Sequence, residues 1–196
     1  MKLANPAPVG LFAFALTTWL LSLVNADFLS GASVPLILAM AFAFGGSIQI
    51  IVGVMEFVKG NTFGVAAFGG YGAFWWSFAL FEEFFLRHVP ASAVSWYLVV
   101  WAAFSITLWI SSFAINWALN ATLFAAWVTL LFLAAAPVFG DHTLTVLGGY
   151  GGLVTAVLAF YLATATLLNE IHGRTILAVG DRIKLSPVFD PLIRSL

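Results

Sequence analysis

The side chains able to do chemistry in this 196-residue chain are few and lie far apart. Cysteine is absent, which removes a thiolate nucleophile, a thiolate metal ligand and any disulfide framework. His88, His142 and His172 lack the close spacing that brings imidazoles to one metal ion. Glu56, Glu82, Glu83 and Glu170 each stand at the edge of an apolar run, and Glu170 precedes Arg174 at a helical ion-pair spacing. What remains is hydrogen bonding without catalysis: Asn5, Thr17, Thr18, Gln49, Asn61, Thr62 and Tyr71 sit inside or at the ends of apolar runs. In a low-dielectric setting such groups either tie helices together or line a route for a polar solute, because an unpartnered one is costly. No metal ion, cofactor or catalytic nucleophile is expected. An enzyme would need a charged or metal-binding cluster at one surface, and none is visible.

Asn5-Pro6-Ala7-Pro8-Val9-Gly10-Leu11 is the most unusual of these segments. Proline is tolerated in a first helical turn, where the N–H groups have no intrahelical partner, and asparagine caps donors that remain. The segment predicts a stiff helix start with a polar tip. The partial positive charge of a helix N-terminus also suits the mouth of an anion path.

The elements that position these residues follow from composition. The chain is 63% hydrophobic and 8% charged, against about 25% charged in soluble domains, which predicts an all-α integral membrane protein. The net charge of -1 gives no support for a nucleic-acid partner. No cleavable signal is expected, because the first apolar run lacks a cleavage site followed by a soluble domain.

Charged residues divide the chain. Uncharged stretches of 24, 28, 22, 53 and 28 residues run between Lys2 and Asp27, Asp27 and Glu56, Lys59 and Glu82, Arg87 and Asp141, and Asp141 and Glu170. A spanning helix needs about 20 residues, so the longest stretch must hold two, broken around Asn116 to Asn120. The reading is a six-helix transmembrane domain over residues 1–175, with helices at about 6–25, 33–56, 62–81, 91–115, 119–138 and 143–168. A short polar tail, 176–196, follows. With the N-terminus inside, Lys2, Lys59, Arg174, Arg182, Lys184 and Arg194 are all cytoplasmic and only Arg87 lies outside. Both termini are therefore expected on the cytoplasmic side of a cell (inner or plasma) membrane.

Ala39, Ala43, Gly46 and Gly53 form a small-residue stripe that lets helices approach closely, and Gln49 shares its face. Gly69-Gly70-Tyr71-Gly72 and Gly148-Gly149-Tyr150-Gly151 suggest a three-plus-three inverted repeat. Counting from Asn5 and Asn61 at about 1.5 Å per residue puts Phe14 and Tyr71 about 13–15 Å deep, near the bilayer centre. Val128 and Leu131 fall at similar depth if their helix starts near Asn120. Glu82 and Glu83 are expected to be solvated at the outer end of the third helix.

These segments resemble the acetate uptake transporter family, which includes bacterial succinate-acetate permeases and yeast ammonia/acetate export proteins. Asn5 to Leu11 is similar to its N-P-A-P-[LV]-G-L signature. The likeness continues through Gly60-Asn61-Thr62-Phe63-Gly64, Tyr71-Gly72-Ala73-Phe74-Trp75 and Leu168-Asn169-Glu170-Ile171-His172-Gly173-Arg174-Thr175. It covers helices 1, 2, 3 and 6 well and helices 4 and 5 loosely. The resemblance implies a ring-shaped homohexamer whose subunits each hold a path for acetate and related small carboxylates such as succinate. It also implies a hydrophobic constriction of Phe, Tyr and Leu. Phe14 and Tyr71 match the first two. The third falls on Val128 in an ungapped reading anchored on Thr129 and Phe132, or on Leu131 after a small shift.

The combined expectation is a polar vestibule, a short apolar gate and a second vestibule, as a channel or a proton-coupled symporter. Asn5, Gln49, Asn61, Thr62, Tyr71 and Thr17 or Thr18 supply hydrogen bonds, and Glu56 and Glu170 are edge sites for a proton or an ion pair. The alternative is a six-helix hexameric urea or short-amide channel. A retinal-type receptor is excluded, since Lys2 and Lys59 both lie at surfaces rather than mid-helix.

Overall fold

Four helix starts among the described residues carry a polar side chain that caps them. The computed structural model describes residues 3–181; Lys2, Arg182, Lys184, Arg194 and the tail from 182 onward lie outside the described residues. Six long helices follow one another: α1 (Ala7–Asn25), α2 (Gly31–Val58), α3 (Thr62–Leu80), α4 (Ala91–Ser112), α5 (Trp117–Phe139) and α6 (His142–His172). Asn5 Oδ1 accepts from Ala7 N at 3.2 Å and Asn61 Oδ1 from Gly64 N at 3.2 Å. Asn116 Oδ1 accepts from Leu119 N and Asp141 Oδ1 from Thr143 N, both at 2.8 Å. These bonds satisfy donors that a first turn leaves unpaired. Gly140 and Gly173, both at φ 61°, turn the chain out of α5 and α6.

Short connections reverse the chain at every break. One face, the terminal face, therefore holds the starts of α1, α3 and α5 with the ends of α2, α4 and α6, and the opposite one is the distal face. Five of the six helices are long and apolar enough to cross a membrane. The exception, α3, trades aliphatic residues for Gly64, Gly69, Gly70, Gly72, Tyr71, Trp75 and Trp76. Large apolar side chains point outward, Phe57, Trp96, Val100 and Phe139 among them, which suits a protein whose solvent is lipid.

Glycine sets the closeness of packing. A Cβ on Gly72 would lie 2.8 Å from Ile50 N, and one on Gly53 2.9 Å from Gly69 N, so α2 and α3 meet almost backbone to backbone. Residues Ala41–Ile48 of α2 form a π-helical stretch, with Ser47 Oγ donating to Phe42 O at 2.7 Å. A Cβ on Gly149 would strike the backbone of Asn25 and Ala26, whereas nothing lies within 4 Å of one on Gly69. Gly149→Ala is therefore expected to destabilise by about 1–3 kcal/mol, while Gly69→Ala is neutral or stabilising by about 0.5–1 kcal/mol. Thermal unfolding of both variants in detergent measures the contrast.

Beyond α6 the chain returns along the terminal face. Asn169 Nδ2 donates to Leu177 O, and its Oδ1 accepts from Ile176 N and Leu177 N. Trp117 N and Ala118 N donate to Gly180 O and Val179 O at 3.0 Å, closing first-turn donors of α5 with backbone rather than side chain.

Candidate functional site

The distal ends of the helices do not close on one another. They surround a vestibule of about 450 Å³, walled by apolar residues such as Val34, Phe78, Val94 and Leu98, with Asn25, Glu82, Asp141 and His142 among its polar lining. Glu82 follows α3 in a π-helical turn, Phe81–Phe85. This turn rotates the end of the helix, so Glu82 is half-buried along the vestibule while Glu83 stays exposed. That corrects the expectation of two solvated carboxylates. Burial among these walls pushes the Glu82 carboxyl above the usual carboxylate range. His142 Nε2 is joined to Asp27 Oδ2 at 2.8 Å at the rim.

Leu21, Asn25, Phe74, Leu130 and Leu133 line both the vestibule and a deeper chamber of about 60 Å³. Thr18, Ser22, Thr129 and Thr155 give the chamber hydroxyls, and Phe14, Tyr71, Trp75 and Ala126 give it apolar walls. Thr129 and Thr155 spend their protons on the carbonyls of Ala125 and Gly151, each four residues back in its own helix. The Thr18 hydroxyl is buried and has no partner.

Phe14 and Tyr71 form the floor of the chamber. Their ring centroids are 4.9 Å apart, and the Tyr71 hydroxyl donates to Ser105 Oγ at 2.9 Å. Ser105 in turn donates to Trp101 O, so the phenol is fixed in place by α4. Around this pair pack Ala67, Leu108, Leu123 and Ala126, with Phe63 and Leu119 against them. Phe63 and Leu119 lie in the first turns of α3 and α5, so apolar packing continues from the floor to the terminal face.

A polar cluster covers that face. Asn5 Nδ2 donates to Glu170 Oε2 at 2.9 Å, and Lys59 Nζ donates to Asn5 Oδ1 at 2.9 Å. Lys59 Nζ also lies 3.4 Å from Glu56 Oε1, and Asn61 Nδ2 donates to Glu56 Oε2 at 2.7 Å. Glu56 is 0% exposed, a buried carboxylate matched by one ammonium and one amide. Asn5 thus links α1, α2 and α6.

The structure brings some of the sequence-derived residues together and separates others. Phe14 and Tyr71 meet at the floor; Asn5, Glu56, Asn61 and Glu170 share the terminal cluster. Thr62 is exposed beside it. Thr17 is fully buried against Gly45 of α2, and Gln49 is 1% exposed; neither lines the vestibule or the chamber. Thr18, one residue on, faces the chamber instead of Thr17. Val128 and Leu131 also miss the floor, and Leu131 is 40% exposed on the outside of the bundle. The α5 residues at the floor are Leu123 and Ala126. Glu170 takes Asn5 in place of Arg174, because α6 ends at His172 and Gly173 turns the chain away from helical spacing.

The sequence profile of the GPR1/FUN34/yaaH family matches residues 1–179. The chain belongs to this family. The succinate-acetate/proton symporter SatP of Escherichia coli is 37% identical over 184 residues, covering 92% of this chain and 97% of that protein. Acetate permease A of Emericella nidulans is 47% identical over 79 residues, 40% of this chain and 26% of that one. A solved structure of the bacterial acetate channel SatP superposes with a TM-score of 0.86 at 35% identity, over 91% of this chain and 100% of that one.

For this GPR1/FUN34/yaaH protein, sequence reasoning missed Ser22, Asn25, Ser105, Ala126, Thr129 and Thr155. For Ser22, Ser105, Thr129 and Thr155 a hydroxyl inside a span was the available signal; Asn25, at a helix end, and Ala126 gave none. Ser105, Thr129 and Thr155 are at most 7% exposed although they lie mid-helix, where lipid-facing positions are apolar.

Proposed function

We propose that this protein transports acetate and related small carboxylates, succinate among them, through a path inside each subunit rather than catalysing a reaction. The solute enters by the distal vestibule, rests in the chamber and passes the floor of Phe14, Tyr71, Leu123 and Ala126 toward the terminal cluster. The unpartnered, buried Thr18 hydroxyl carries the reading. It offers a donor to a carboxylate oxygen in a chamber whose other walls accept a methyl group. A charge-assisted bond of this kind is worth about 1.5–3 kcal/mol.

Two names among the relatives, proton symporter and channel, fit one geometry: a fixed amphipathic chamber over an apolar constriction. No titratable side chain other than the Tyr71 phenol lines chamber or floor, so any coupled proton travels on the substrate or on groups at the two faces, with Glu56 and Glu170 at one of them. The terminal face is the cytoplasmic one, following the basic residues, and the protein resides in the cell membrane. The close packing of α3 on α2 through Gly72, and of α6 on α5 through Gly148 and Gly151, supports a three-plus-three inverted repeat. The family resemblance extends to assembly into a homohexameric ring, whose subunit contacts would fall within the outward apolar belt.

Uptake of labelled acetate into proteoliposomes tests the proposal. Thr18→Val is expected to raise KM for acetate about tenfold and to leave folding intact. Competition by urea at acetate's own concentration, with no effect of Thr18→Val, would instead favour a neutral-amide path.

A further inference from the structure

The distal vestibule places a carboxylate where an entering anion must pass. Glu82 lines the cavity beside Phe81, Val94, Tyr97 and Leu98, and no hydrogen bond or ion pair reaches it from the described residues. The groups facing the same cavity leave its charge uncompensated. From α1 comes Asn25, from α4 the phenol of Tyr97, and from α2 and α5 only apolar residues and glycine. The start of α6 brings Asp141, whose Oδ1 caps Thr143 N, and His142, which is held by Asp27. On its own segment, Glu83 points out to solvent. An anion path with an unpaired carboxylate along an apolar wall is self-obstructing while that group is ionised, because low-dielectric walls concentrate its field in the cavity.

We propose that Glu82 is a proton-operated charge filter at the distal mouth: ionised, it repels entering carboxylates, and protonated, it admits them. Burial among apolar side chains favours the neutral form, so the switch operates above the ordinary carboxylate range. The filter makes anion entry depend on the pH of the distal side without a titratable group in the chamber. It rests on the transport reading given above.

Labelled formate, a monoanion throughout the range, separates this effect from the protonation of the substrate itself. In proteoliposomes, with flux through protein-free vesicles subtracted, wild-type formate uptake is expected to fall roughly threefold or more as distal pH rises from about 5 to about 8. Glu82→Gln is expected to keep the high, low-pH flux across the range, and Glu83→Gln to behave as wild type. Unfolding of the isosteric Glu82→Gln in detergent should match wild type, since only an unpaired charge is removed. A wild-type profile without a decline overturns the filter. So does a decline that survives in Glu82→Gln, whether or not His142→Gln abolishes it. A wild-type protein that conducts neither formate nor acetate at any pH overturns the transport reading itself, and this inference with it.

Discussion

Replacing Phe14 with valine or alanine is expected to relax chain-length selection before it changes anything else. The Phe14 ring is 8% exposed and closes the chamber floor against Tyr71 at a centroid separation of 4.9 Å. Truncation opens the apolar floor of the chamber, and each methylene that an apolar site accepts or rejects is worth about 1–3 kcal/mol. Butyrate or lactate uptake should therefore rise about tenfold or more relative to acetate. The cost is a cavity: Phe→Ala in a packed interior destabilises by about 3–5 kcal/mol, which makes Phe14→Val the milder probe. Tyr71→Phe separates shape from hydrogen bonding. It keeps the ring and loses the bond to Ser105, so it should leave chain-length preference unchanged. Relative uptake of labelled acetate, butyrate and lactate in proteoliposomes measures all three variants.

The second large effect concerns the terminal cluster. Lys59→Met removes the only ammonium near Glu56 among the described residues, and with it the bond to Asn5. Glu56 is fully buried, so its carboxylate then depends on Asn61 alone. Taking one partner from a buried polar group costs about 1–3 kcal/mol, because the group left behind remains desolvated. A corresponding fall in thermal stability in detergent is the expected result. The double variant Glu56→Gln with Lys59→Met should recover most of it, since neither charge remains and the Asn61 amide still has an acceptor. An equal loss in the single and double variants would mean that packing of the Lys59 stem, rather than charge, dominates.

What the sequence made legible was depth and periphery. Breaks could be located because Asp27, Lys59, Arg87 and Asp141 interrupt apolar runs, and Asn5, Asn61 and Asn116 supply the caps that start α1, α3 and α5. Counting from two of those starts put Phe14 and Tyr71 at one level, and their rings are in contact. Direction around the helix was not legible by counting. Each residue turns about 100° from the last, so Thr17 and Thr18 share a depth yet face α2 and the chamber respectively. The same ambiguity misplaced α5: Leu131 has a plausible depth but lies on the outer face, while Leu123 and Ala126 point inward. Glu82 escaped for another reason. A π-helical turn changes the rotation per residue, and the sequence Phe81-Glu82-Glu83-Phe84-Phe85 gives no sign of it. The Asn5–Glu170 bond joins residues 165 positions apart, a contact that only the closed bundle defines.

The absence of cysteine allows the path to be probed directly. Ala126→Cys, Thr129→Cys and Leu131→Cys can be exposed in proteoliposomes to a small anionic thiol reagent before labelled acetate uptake is measured. Modification at Ala126 or Thr129 is expected to abolish flux, acetate to protect both positions, and Leu131→Cys to transport normally after treatment. Block at Leu131, with unaffected flux at both Ala126 and Thr129, would contradict a path that runs past Phe14 and Tyr71 inside the bundle.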